Sequence, residues 1–344
     1  MIMKNYLIVL LSALGFVSCT TEVDITGEWK NIPVVYSIID QADSVHYVRI
    51  NRVFSGNQSA YDMAIIPDSL LYDDTLDVKI HVFDKNNIRL KTITFTKEMR
   101  DKDSINQYGE VIFATDKHHV YASREEIPEE KGYSYNLVVK LNKDKQVEAT
   151  MQSIVGFNQT NPPRGGRYDI SQVILGATFR LPTAVHGAQM NMYVHYYEFY
   201  NDNRPYVRKT IMFPFNKVLH TTNDELTMGM KTFLIKSKFK EEIQNDPEVS
   251  YRFLGKVDFE YFIADIPFSE HLWLRNNTIV GETSPLTNIK GGYGLFACRK
   301  NFIYKGHKPT IPKSYKAFND DPDLRLLKFP KPLVYQQHGI DTLP

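Results

Sequence analysis

Apolar and polar side chains alternate with a period of two in several separate stretches of this chain, as in strands that keep one face in a core and the other in water. Leu76, Val78, Ile80 and Val82 alternate with Asp77, Lys79 and His81. Asp84-Lys85-Asn86-Asn87 then reads as a hairpin turn, returning through Ile88 to Phe95. Tyr133, Tyr135, Leu137, Val139 and Leu141 repeat the pattern, and Asn142-Lys143-Asp144-Lys145 turns it back into Val147, Ala149 and Met151. With the runs Val34 to Ile39 and Val45 to Phe54, the two hairpins predict about six or seven short strands across residues 31–155, the number in an immunoglobulin-like sandwich. The Cys and Trp pattern of that sandwich is missing, so strand rhythm alone carries the expectation. Ser59 to Asp74 reads as a loop with a short helix.

Pro162, Pro163, Gly165 and Gly166 break the rhythm and mark residues 156–167 as a linker. A second β-rich unit follows over 168–304. Met190, Met192, Val194 and Tyr196 alternate with Tyr193, His195 and Tyr197, and Val257, Phe259, Tyr261 and Ile263 with Asp258, Glu260 and Phe262. Between them Ile235, Phe239 and Ile243 fall four apart on one face of a helix that Pro247 closes. Pro309, Pro312, Pro322, Pro330 and Pro332 then predict an extended tail over 305–344. The expected fold class is mainly β: an N-terminal Ig-like β-sandwich followed by a second β-rich domain with one amphipathic helix.

The N-terminus follows a different rule. Its apolar run, Tyr6 to Val17, is well short of the ~20 residues that a membrane-crossing helix needs. Lys4, the apolar centre Leu7 to Leu11 and small Ser18 instead have the order of a signal peptide over 1–18. Phe16-Val17-Ser18-Cys19 resembles the lipobox of bacterial lipoprotein precursors, with Phe16 where Leu is commoner. Cys19 is therefore the expected lipidation site, carrying palmitate and related chains at the head of an acylated linker, 19–30. Each buried methylene contributes about 0.8 kcal/mol, so several chains hold a protein stably in a bilayer.

Composition narrows the partners. Forty-one basic against forty acidic residues give no field for nucleic acid. With Cys19 acylated, Cys298 is the only remaining thiol and no intrachain disulfide can form. Twenty-one tyrosines and twenty phenylalanines favour β-structure.

Candidate chemistry is sparse. His118 and His119 read as a surface pair in a loop, without a His-Glu-x-x-His motif, and no metal or cofactor is expected. Asp258 and Glu260 share the solvated face of a strand, with no partner assignable from sequence. Gly291, Gly292 and Gly294 suit a turn or bulge leading into a closing strand with Phe296 and Cys298 facing inward. Tyr193, Tyr196, Tyr197 and Tyr200 are candidate ligand-binding residues, able to form a sugar-stacking platform if they share an exposed face. The tripeptide Asp, Ser or Thr, then an apolar residue resembles the Bacteroidetes O-glycosylation acceptor. It places candidate sites at Ser44, Ser69, Thr75, Ser104 and Thr342, although Ser and Thr in such loops also initiate turns.

Four segments carry a family resemblance: the lipobox with its acidic mature N-terminus, Ile65 to Tyr72 before a strand, Gly132 to Leu137 before a hairpin, and Thr287 to Phe296. Together they resemble Bacteroidetes lipoproteins of the uncharacterised domain-of-unknown-function family four-two-four-nine. That resemblance implies an outer-membrane lipoprotein, often encoded beside a TonB-dependent transporter, and brings no catalytic residues. Glu22 and Asp24 behind the anchor favour the cell surface over a periplasm-facing position. The function expected first is a non-enzymatic accessory or binding protein held by its lipid and docking on a transporter or another envelope protein. A glycan- or peptide-capturing module is the alternative, and a hydrolase with an unrecognised site the third.

Overall fold

The computed structural model describes residues 32–53, 62, 66, 70–72, 75–102, 117–202, 204–218, 224–277 and 287–329. The signal segment, Cys19, Ser69, Ser104, Thr342 and most of the 59–74 loop lie outside them.

The chain is mainly β, as its alternation predicts. Among the described residues, seven strands build the N-terminal unit: β1 (Pro33–Ile39), β2 (His46–Arg52), β3 (Asp77–Phe83), β4 (Arg89–Asp101), β5 (Lys117–Ser123), β6 (Ser134–Lys140) and β7 (Gln146–Gln152). Both expected hairpins form. β3 pairs with β4 around a turn in which Asp84 Oδ1 accepts from the backbone N–H of Asn86 and Ile88, and β6 pairs with β7 in unbroken register. The alternation sends Val78, Ile80, Val82, Tyr135, Leu137 and Val139 into one core. β4 joins two layers: up to Phe95 it pairs with β3, and from Thr96 onward with β5. One layer thus runs β1-β2-β5-β4 and the other β4-β3-β6-β7. Across them, Tyr121 Oη of β5 accepts from the Leu76 N–H at 3.0 Å. His118 and His119 lie on β5, opposite Arg100 and Met99, not in a loop. Ladder pairing keeps that segment extended.

The second unit contains β8 (Asn158–Asn161), β9 (Arg167–Tyr168), β10 (Ile174–Arg180), β11 (Val185–Tyr200), β12 (Val207–Pro214), β13 (Glu225–Lys231), α1 (Thr232–Glu242), β14 (Val249–Asp265), α2 (Ile266–Asn277), β15 (Tyr293–Pro309), α3 (Ile311–Asp320) and α4 (Pro322–Arg325). The expected helix is α1, with Ile235 and Phe239 buried, and among the described residues three others join it. No helix among the described residues is long and apolar enough to cross a membrane. β13-β10-β8 form a three-stranded sheet, while β12-β11-β14-β15 continue through β1 into the N-terminal unit. Phe157, Phe179, Tyr261 and Phe302 pack ring to ring between the two sheets, with neighbouring centroids 4.7–5.4 Å apart. Segment 156–167 contributes to this packing: β8 pairs with β10, and Gln159 bonds Tyr261 Oη at 2.7 Å and His307 Nε2 at 2.9 Å.

The tail expectation is corrected. Residues 305–309 finish β15, and 311–325 form α3 and α4. Each proline stands where its missing N–H costs little: Pro309 ends a strand, and Pro312 and Pro322 open helices. Phe318 and Phe329 pack on Phe239 of α1, and Leu324 is buried. Pro330 and Pro332 lie outside the described residues.

Arg252 of β14 fixes this C-terminal segment. It donates to Glu198 Oε1 at 2.8 Å and to the carbonyls of Leu327 and Gln244 at 3.0 Å each. Lys209 reaches the other Glu198 oxygen at 2.7 Å. Burial by itself would raise Glu198, but the bonds and charges of Lys209 and Arg252 outweigh it and leave the carboxyl below its ordinary range.

Candidate functional site

The outer face of β12-β11-β14-β15, turned away from the three-stranded sheet, carries a connected set of cross-strand polar contacts. The period of two puts Tyr193 and His195 of β11 on this face with Asp258 and Glu260 of β14, because Met192, Val194, Val257 and Phe259 take the core side. His195 Nε2 lies 3.1 Å from Asp258 Oδ2, and Nδ1 lies 2.7 Å from Thr210 Oγ1. With the carboxylate accepting at Nε2–H, Nδ1 is left to accept from the threonine hydroxyl. Burial lowers His195, only partly opposed by the bond to Asp258, so the ring is neutral near pH 7. A bulge in β15 at Gly306, whose φ is +83°, aims that residue's N–H at Asp258 Oδ1, 2.8 Å away.

One row further, Tyr193 Oη donates to Glu260 Oε2 at 2.6 Å, and Asn301 Nδ2 to Oε1 at 3.0 Å. Asp258 and Glu260 are on the outer face as expected, yet both are partnered. The partners come from β11, more than sixty residues earlier, and from β15. The only trace in the sequence is matched spacing: two polar pairs, Tyr193/His195 and Asp258/Glu260, each two residues apart.

Beyond Glu260 the face enters a cleft of about 440 Å³. Its floor is the cross-strand row Gln189, Phe262 and Asn301. Phe268 and Leu272 of α2 form a wall, Asp40 and Asp43 of the β1–β2 turn stand at one end, and Lys217 at the other. α2 can lie this close because Gly187 has no side chain: a Cβ there would meet Ser269 Oγ at 2.6 Å. Asp265 caps α2, accepting from Phe268 N–H at 3.0 Å and Cys298 N–H at 2.7 Å. Burial nevertheless pushes its carboxyl up to about 7.

A pH dependence follows from Asp265. A carboxyl raised in the fold stabilises it fully below the unfolded value near 4, and that contribution is lost as pH rises through about 7. Measured by urea unfolding, the stability advantage of wild type over Asp265→Asn is expected to shrink between pH 4 and 7, by at most ~1.4 kcal/mol per pH unit. A difference that stays flat over that window would show that Asp265 titrates normally.

The tyrosine platform is corrected. Tyr193 and Tyr200 are half-buried, and Tyr196 and Tyr197 are fully enclosed. A bulge between Val194 and Tyr196 breaks the alternation, so consecutive rings point into packing instead of sharing one open face. Tyr200 bonds Glu198 at 3.2 Å and lies under the Arg204 guanidinium. Ser44 and Thr75 are exposed, the first in the β1–β2 turn beside the cleft. Among the described residues, no group of three or more His, Cys, Asp or Glu is placed to hold a metal. The chain Thr210–His195–Asp258 has the contacts of a nucleophile and base. A bulge interrupts the ladder of β11 and β14 at His195, and the N–H of Gly306 nearby is bonded to Asp258.

No family model matches the chain, and no curated protein matches it. Among solved structures it is similar to the C-terminal globular domain of an oligosaccharyltransferase from Pyrococcus abyssi at 10% identity and a TM-score of 0.23, over 68% of this chain and 47% of that one. The chain thus spans about half of that neighbour's length, and a likeness at this level bears on neither fold nor activity.

Proposed function

We propose that this protein is a lipid-anchored component of the bacterial outer membrane that works without catalysis, as an accessory or binding protein beside an envelope protein such as a TonB-dependent transporter. The observation that carries the reading is the outer face of β12-β11-β14-β15. There Met212, Phe262 and Ile303 stand 43%, 41% and 51% exposed around the bonded polar stripe. Apolar side chains interleaved with fixed polar groups are the composition of a non-obligate protein interface. The Cys19 motif supplies the address, and the family resemblance supplies the class of partner.

A photo-crosslinking residue in place of Ile303, in cells, tests it. The expected result is capture of an envelope protein, lost together with labelled palmitate when Cys19→Ser is added. Palmitate persisting in Cys19→Ser, or no adduct from either position 303 or 212, would sink the reading.

A further inference from the structure

We infer that the cleft under α2 binds a short peptide with free termini. The inference rests on the reading of a binding protein and names its ligand class. The two ends of the cleft differ in charge. Lys300 is already held by Glu129, so Asp40 and Asp43 outweigh Arg299 at the turn end and leave one net negative charge there. Lys217 is the cation at the opposite end, beside the bridge between Val218 and Ala188. An ammonium fits the first end and a carboxylate the second.

The spacing selects the length of the zwitterion. Lys217 continues from β12 and Asp40 from β1, with β11, β14 and β15 between them, so four steps of ~4.8 Å separate their backbones by roughly 19 Å. Inward reach of the two side chains leaves ~10–13 Å, the span of three or four extended residues at ~3.3 Å each. A single amino acid cannot bridge it. Between the ends, the amides of Gln189 and Asn301 offer donors and acceptors to a peptide backbone, and Phe262 and Phe268 offer apolar contact to its side chains. A neutral glycan would leave both charged ends unanswered.

The test uses the full-length mature protein in detergent, titrated calorimetrically with the tetrapeptide Ala-Ala-Phe-Ala, its N-acetylated and C-amidated forms, and maltotetraose. The free peptide is expected to bind, with either blocking group weakening it at least tenfold. Asp43→Asn should reproduce the loss on acetylation and add nothing to it, and Lys217→Gln should do the same for amidation. Both side chains are exposed, so the variants are expected to keep the wild-type circular dichroism spectrum. Blocked peptides binding as well as free ones, maltotetraose binding instead, or no saturable binding at all would overturn the inference. Crosslinking from position 303 separates the two readings: an adduct kept in a Lys217→Gln strain whose protein has lost peptide affinity supports both, and no adduct from a chain with Lys217 present that still binds the free peptide sinks only the docking surface.

Discussion

Arg252→Ala is expected to lower the unfolding free energy by about 3–5 kcal/mol, because removing one partner of a buried ion pair strands the other. Glu198 would keep Lys209 and Tyr200 but lose its buried partner, and the carbonyls of Leu327 and Gln244 would lose their donor. Arg252→Lys should lose nearly as much, since a single ammonium cannot span three acceptors that the guanidinium fork reaches together. Urea unfolding at neutral pH reads the effect. A loss under ~1 kcal/mol would show that the segment around Leu327 is held without the Arg252 side chain.

Gly294→Ala should be comparably severe. Gly294 has φ +117°, and a Cβ there would lie 1.9 Å from the carbonyl oxygen of Val35, its register partner in the parallel pair of β1 and β15. Neither backbone can yield without opening the pair, so the expected cost exceeds ~3 kcal/mol, beyond what left-handed strain explains by itself. Gly156→Ala is the control. It has φ +100° with nothing within 4 Å of the added carbon, so only the conformational term of ~1–2 kcal/mol applies. Equal thermal shifts for the two variants would refute the close approach of β15 to β1.

Much of the fold is legible in the sequence because alternation is a local signal. Val78, Ile80 and Val82 read as one core face from their spacing alone, and the turn at Asp84 to Asn87 is written in its own residues. The glycine segment reads correctly for the same reason: Gly291 and Gly294 have positive φ and deliver Phe296 and Cys298 into the core. The C-terminal prolines mislead because they exclude a central strand, and only the helices that Pro312 and Pro322 open make them favourable. Tyr196 and Tyr197 mislead because a bulge shifts the period within one strand, and bulges leave no residue signature here. The polar stripe escapes notice for a different reason. Tyr193 meets Glu260 only after strands 67 residues apart have paired, and nothing local to either records the other.

β15 has one further consequence. Its first half, Tyr293 to Cys298, lies along β1, while its second half, Arg299 to His307, lies along β14. During synthesis the first of the described strands therefore waits for the last of them, with β8 to β14 made in between. Until those residues arrive, one side of β1 is a bare edge able to recruit a strand from another molecule. Fragments cut between the two units would inherit that hazard permanently, and the protein is expected to mature as one cooperative body rather than by sequential closure of independent parts.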